Sequence, residues 1–391
     1  MGRPVITAEE FGARNRRTQE LMKEQGVDIL LCYGNEAEPQ FVRYLCNYWP
    51  SFETAGVLLA QEGEPMLLIG PESMTYASDR SVLQNIRRLS AFRESSNPEY
   101  PGHTLDTFEA LIEELLGGNR VSRAAIAGYN LISKITYDEF HHAVSAMGAK
   151  EIERGDDILI RQRMIKSEAE IECMREAGRI TRETFSFVIE NMRPGMTESQ
   201  VRGLANAKLF EMGGECEAYP IWVLAGKGGN QAISRARHKV IQPNELVHLQ
   251  IGARYEGYAS TIGRPVIVGK PEQWMLDAIN AGYEGYETIR SQLFSGNNAG
   301  NVAKAFYETM GKNGYADWLL YGPCHGTGLM EGEPPWIESN SDYLMQTNQT
   351  YCICLFMGND DGYGFRLEDS MRVAPGEPES MTDFKREIII I

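Results

Sequence analysis

Glu245-Leu246-Val247-His248-Leu249-Gln250-Ile251-Gly252-Ala253-Arg254-Tyr255-Glu256-Gly257-Tyr258-Ala259-Ser260-Thr261-Ile262-Gly263-Arg264 alternates apolar and polar residues on either side of a Gly-containing turn. A period of two belongs to strands, so the stretch reads as two short antiparallel strands joined across Ala253 to Gly257. Residues two apart share a face, which sets His248 beside Gln250. The same rule sets Cys352 beside Cys354 in Thr350-Tyr351-Cys352-Ile353-Cys354-Leu355, and Arg366 beside Glu368 in Gly364-Phe365-Arg366-Leu367-Glu368-Asp369-Ser370-Met371.

The surrounding chain of 391 residues is long enough for two cores. Residues 1–163 read as an α/β domain. A helical repeat at Phe11, Arg14, Thr18, Leu21 and Met22 precedes the apolar run Val27-Asp28-Ile29-Leu30-Leu31-Cys32, and Ala55–Ala60 with Pro65–Ile69 makes a hairpin. The aromatic cluster Tyr48-Trp49-Pro50-Ser51-Phe52 interrupts that pattern. A second domain, 164–391, opens at Ser167 and Glu170, a capping box ahead of a helix whose face carries Ile171, Met174, Ala177, Gly178, Thr181, Phe185 and Val188. Helices are also expected over 272–293 and 299–312. The formal charge of −16, with no basic run, argues against nucleic acid as a partner. No apolar run reaches bilayer length, and seven scattered cysteines suit a reducing compartment, so a cytoplasmic protein is expected.

In its motifs the chain resembles the pita-bread hydrolases: creatinase, prolidase, aminopeptidase P and their relatives. Their hairpin reads Asp-x-Gly-x-x-x-x-Gly-Tyr-x-Ser-Asp-x-x-Arg, of which Gly257, Tyr258, Ser260 and Arg264 are present and both aspartates absent. Lys166-Ser167 with Glu170-Ile171, then Pro194-Gly195-Met196-Thr197-Glu198, resembles the entry to the family's catalytic domain. His238, Gly322-Pro323-Cys324-His325-Gly326, Glu333-Pro334-Pro335 and the two late strands follow in family order. The fold implied is mixed α/β (α+β), a creatinase-type N-terminal domain followed by a pita-bread catalytic domain.

Metal-dependent members of this family hold two divalent ions with two Asp, one His and two Glu. Those five positions fall here on Gln250, Thr261, His325, Cys354 and Glu368, of which only His325 and Glu368 match. Four carboxylates would offset two divalent cations, and this set does not. The expectation is therefore no metal and no other cofactor, with a single soft-metal site of His325, Cys354 and Glu368 as the residual alternative.

The resemblance then favours the family's metal-free branch, creatinase and ectoine hydrolase: hydrolysis of a C–N bond in a small amidine, cyclic amide or N-acyl amino acid-like substrate. His238 matches the creatinase histidine and is expected to shuttle protons, with His325 and Glu368 as the other catalytic groups. His248, Gln250, Thr261, Cys354 and Arg366 are expected to bind substrate, along with Trp49 and Phe52 if a homodimer places one chain's first domain over the other's site. Three alternatives stand beside this reading: an Xaa-Pro-type metallopeptidase with atypical ligands, a hydrolase or lyase using Cys354 as nucleophile, and a binding protein without activity.

Overall fold

A computed structural model describes residues 2–391. The chain folds as two compact units, one spanning Ile6–Arg163 and the other Met164–Ile391 together with the residues up to Val5.

In the first unit, the apolar run after the opening helix Ala8–Gln25 becomes the strand Ile29–Gly34, buried along its whole length. It lies inside a sheet ordered Ile86–Arg88, Met66–Ile69, Ala55–Ala60, Ile29–Gly34, Ala124–Ala127, Ile152–Arg154. Ala55–Ala60 and Met66–Ile69 pair antiparallel with Leu58 opposite Met66, as their Gly-containing connection predicts. Trp49 and Phe52 lie between the helix Gln40–Cys46 and the strand Ala55–Ala60. Phe52 takes a left-handed φ of 59° and is 89% exposed, its backbone N–H donating to the Glu36 carboxylate at 3.1 Å. Trp49 packs under the guanidinium of Arg43 and donates from Nε1 to the Glu36 carbonyl.

The second unit is built on a large sheet. Among the described residues its main path runs Glu333–Ile337, Cys324–Gly326, Thr350–Gly358, Gly364–Arg372, Tyr258–Val268, Glu245–Tyr255, Cys216–Glu217, with Trp222–Ala225 also paired to Glu245–Tyr255. The helix Glu168–Asn191 starts at the Ser167 and Glu170 capping box and buries the expected face against the long hairpin. Gln273–Arg290 and Ala299–Lys312 pack together, their Ile279, Val302 and Phe306 sharing one core with Ile353, Leu355 and Leu367. These last three alternate with Cys352, Cys354, Arg366 and Glu368, so the helices take the apolar face of the late strands and leave the polar face for the site.

The long hairpin is tighter than its sequence suggests. Its strands run to Tyr255 and resume at Tyr258, leaving a turn of only Glu256 and Gly257. Both take left-handed φ, 49° and 84°, the type I′ geometry that matches strand twist and that glycine adopts without strain. Ala253 to Tyr255 are therefore strand; Arg254 is satisfied there by the carbonyls of Gly257, Leu329 and Ala218. Among the described residues no helix is long and apolar enough to cross a membrane.

Candidate functional site

Register assembles the site. A transverse row crosses the sheet through Trp222, Gln250, Gly263, Glu368 and Cys354, each directly opposite the next. Gly263 is the gap in that row: a Cβ there would stand 2.9 Å from the Cβ of Glu368, closer than real Cβ atoms come. Across the gap Gln250 reaches Glu368, its Nε2 donating to Oε2 at 2.5 Å. The other carboxylate oxygen accepts from the Tyr219 hydroxyl at 2.8 Å. Glu368 is fully buried, so these two donors, with Arg366 3.8 Å away, hold its orientation.

Arg366 closes the network. Nη1 donates to the Gln250 carbonyl oxygen at 3.0 Å, and Nη2 donates to the Ala232 carbonyl and to the Tyr321 hydroxyl. Its guanidinium lies 4.7 Å from the ring centre of Trp222 and is flanked by Tyr321 and Phe356, a cation held in an aromatic box. His248 shares this side. Burial, then the charge of Arg366, lowers its pKa to about 3, so it is a neutral imidazole. Its Nδ1 donates to the Gly229 carbonyl at 3.1 Å, since a carbonyl can only accept, and its Nε2 has no hydrogen-bond partner.

A second row lies two residues along, where His325 pairs with Cys352 and Cys352 with Ser370. His325 Nδ1 donates to the Gly326 carbonyl at 2.9 Å, and Nε2 faces Glu331 Oε1 at 3.5 Å. Burial alone would lower the His325 pKa, but Glu331 and Cys354 outweigh it and raise it to about 10. Glu331 is pushed up by its own burial and by Glu368. The Thr261 hydroxyl lies 3.4 Å from Cys352 Sγ, and the Tyr321 hydroxyl 3.5 Å from Cys354 Sγ.

Gln250, Arg366, Glu368, Cys354, His325 and Thr261 thus converge, and His248 lies behind Arg366. His238 is placed differently. Its neighbours Arg237 and Lys239 are pinned to Glu198 and Glu245, and the imidazole between them is exposed with no hydrogen bond to the network. Trp49 and Phe52 belong to the first unit. Sequence reasoning missed Tyr219, Tyr321 and Glu331. The available signals were faint: Tyr219 and Tyr321 each precede a strand of the site, and Glu331 adjoins Gly332, where the resemblance looks for a second histidine.

A two-ion centre on the five family positions does not fit this arrangement. Gln250 points N–H donors at Glu368, where an ion shared by those two positions would have to sit, and an N–H cannot ligate a cation. Thr261 and Cys354 supply no carboxylate, and a guanidinium already neutralises Glu368.

A sheet in each unit, with an antiparallel hairpin running on into the late strands of the second and a buried polar row on the face opposite its helices, defines a pita-bread hydrolase. The sequence model of metallopeptidase family M24 matches residues 172–375, and the chain belongs to that family. It is 22% identical over 259 residues to the uncharacterised peptidase YqhT of Bacillus subtilis, covering 66% of this chain and 73% of that one. It is 23% identical over 255 residues to an Xaa-Pro dipeptidase of Pyrococcus furiosus, covering 65% of this chain and 73% of the relative. Among solved structures, the X-Pro aminopeptidase of Thermotoga maritima MSB8 superposes with a TM-score of 0.82 at 21% identity, over 96% of this chain and 99% of that one.

These matches correct the functional expectation. A metal-independent hydrolase of amidines, cyclic amides or N-acyl amino acids is overturned by membership of a metallopeptidase family whose relatives here are named as Xaa-Pro dipeptidase and X-Pro aminopeptidase. Loss of family ligands does not establish kinship with creatinase, because a vacated ligand position does not by itself say which bond is cleaved.

Proposed function

We propose that this protein hydrolyses the amide bond of a short peptide, with Xaa-Pro dipeptides as the leading substrate class. The observation that carries the reading is the buried carboxylate of Glu368, held by Gln250 and Tyr219 in the polar row of an M24 domain. Hydrolysis needs a base to take a proton from water and an acid to give one to the departing nitrogen. Each Glu368 oxygen keeps a lone pair beyond its one bonded donor, so the carboxylate takes the water proton. His325, whose strand pairs with that of Cys352 in the next row, is proposed to face the carbonyl oxygen on which charge develops. Gln250 and Arg366 act as positioning residues, because their hydrogen bonds run to Glu368 and to each other.

A panel of Xaa-Pro dipeptides, other dipeptides and tripeptides tests this reading. Turnover of a dipeptide is expected, and a panel in which no peptide is cleaved would overturn it. His238 is proposed to protonate the leaving nitrogen from its loop, whose Ala232 carbonyl is held by Arg366. His238→Ala should then lower kcat/KM on the best dipeptide by about 10²-fold; an unchanged rate would remove His238 from the mechanism.

The protein is further proposed to be a cytoplasmic homodimer. The seven scattered cysteines support the compartment, and Phe52 supports the dimer. A bulky residue in left-handed backbone costs about 1–3 kcal/mol, and an exposed phenyl ring does nothing to offset that in a monomer. Sedimentation should give twice the chain mass, shifting toward the monomer in Phe52→Asp. A monomeric parent protein at micromolar concentration would refute the dimer.

A further inference from the structure

Beside the Glu368 row lies a set of ligand atoms that the family positions do not describe. A ring nitrogen of His325, a Glu331 carboxylate oxygen and Cys352 Sγ all lie within 4.8 Å of one another, and His325 Nε2 is 3.5 Å from Glu331 Oε1. His325 and Cys352 are brought there by direct pairing across two strands, and Glu331 comes from the turn beyond Gly328. A second observation concerns the ring itself. The Nδ1 proton of His325 is committed to the Gly326 carbonyl, which fixes the tautomer and leaves Nε2 facing Glu331. Metal-binding histidines are held by such a bond on the opposite nitrogen.

We propose that His325, Glu331 and Cys352 bind one divalent cation of the zinc class. Charge supports a single ion: one thiolate and one carboxylate balance two positive charges, with the imidazole neutral. Softness selects the ion, because a thiolate with an imidazole suits Zn²⁺ or Co²⁺ and disfavours Mg²⁺ or Ca²⁺. Three protein ligands leave a fourth, open position, the arrangement of a reactive rather than a structural zinc site. Ligand bonds of about 2.0–2.3 Å require the trio to close by about 1 Å. Glu331 can supply that movement and the way in, since its side chain is 20% exposed while those of His325 and Cys352 are buried. Loading expels the Cys352 thiol proton, and any proton on His325 Nε2, to solvent.

The trio differs from the His325, Cys354 and Glu368 set expected from the family positions. Glu368 has a donor on each oxygen, and Cys354 faces the Tyr321 hydroxyl. The place of the ion, on the side where the carbonyl oxygen is polarised, rests on the peptidase reading; its binding does not.

Full-length protein stripped with a chelator and titrated with Co²⁺ alone separates the outcomes. One Co²⁺ per chain is expected, with a thiolate-to-cobalt charge-transfer band in the near ultraviolet. Cys352→Ser should abolish the band and Cys354→Ser keep it. Glu331→Gln, at a partly exposed position that the fold tolerates, should weaken binding at least about tenfold. No binding, two ions per chain, or a band lost with Cys354→Ser and kept with Cys352→Ser would overturn the site. Cobalt bound as expected in a protein that cleaves no peptide would overturn the peptidase reading and leave the site standing; peptide cleavage by protein that binds no ion would do the reverse.

Discussion

Replacing Arg264 by alanine is expected to cost about 3–5 kcal/mol of stability, because it leaves a buried charge without its partner. Arg264 and Asp369 are 0% and 1% exposed and meet at 2.7 Å. The Asp369 carboxylate also accepts from the Tyr286 and Thr382 hydroxyls, and Arg264 donates to the carbonyls of Gly263, Glu368 and Lys385. The guanidinium therefore ties the strand bearing Gly263 to the strand bearing Glu368 at the point where the site row crosses them. A domain's whole stability is about 5–15 kcal/mol, so the loss is a large share of it. Urea unfolding followed by tryptophan fluorescence reads it directly, and Arg264→Lys should recover only part, since an ammonium cannot span the same acceptors. A loss below about 1 kcal/mol would show that the pair does not hold the strands together.

Glu368→Gln is expected to lower kcat by about 10²–10⁴-fold on any dipeptide the protein cleaves, with KM changed only a few-fold. The substitution preserves shape and removes the ability to accept a proton from water. It also turns a new amide toward existing donors: whichever way the side chain lies, its NH₂ faces either Gln250 Nε2 or the Tyr219 hydroxyl. Steady-state kinetics on the best dipeptide separates this from a packing defect, which would raise KM or lower the amount of folded enzyme. A kcat within about threefold of the parent would remove Glu368 as the base.

Much of this site was legible in the sequence because strands impose a period of two. Once Gln250 faces the pocket, His248 must follow, and Glu368 brings Arg366 with it. Pairing across strands carries no such local signature. That Gln250 lies opposite Gly263, and Gly263 opposite Glu368, depends on a two-residue turn that alternation alone does not locate. Tyr219, Tyr321 and Glu331 enter from connecting segments, where neither periodicity nor capping constrains direction. The helix from Glu168 was readable to its first residue, because a capping box is a local pattern with a local cause. The type of bond cleaved was misjudged for a different reason: counting the charge at vacated positions measures what cannot be held there and is silent on what the pocket acts upon.

The amide of Gln250 also limits which single substitutions the site tolerates. Replacing it by the aspartate that the family resemblance looks for would point a second carboxylate at Glu368 while Thr261 and Cys354 still withheld the charge needed to attract two ions. The variant would carry adjacent buried anions with only Arg366 to share between them. Gln250→Asp alone is therefore expected to give a less stable protein, because the amide at this position spares Glu368 a second buried carboxylate.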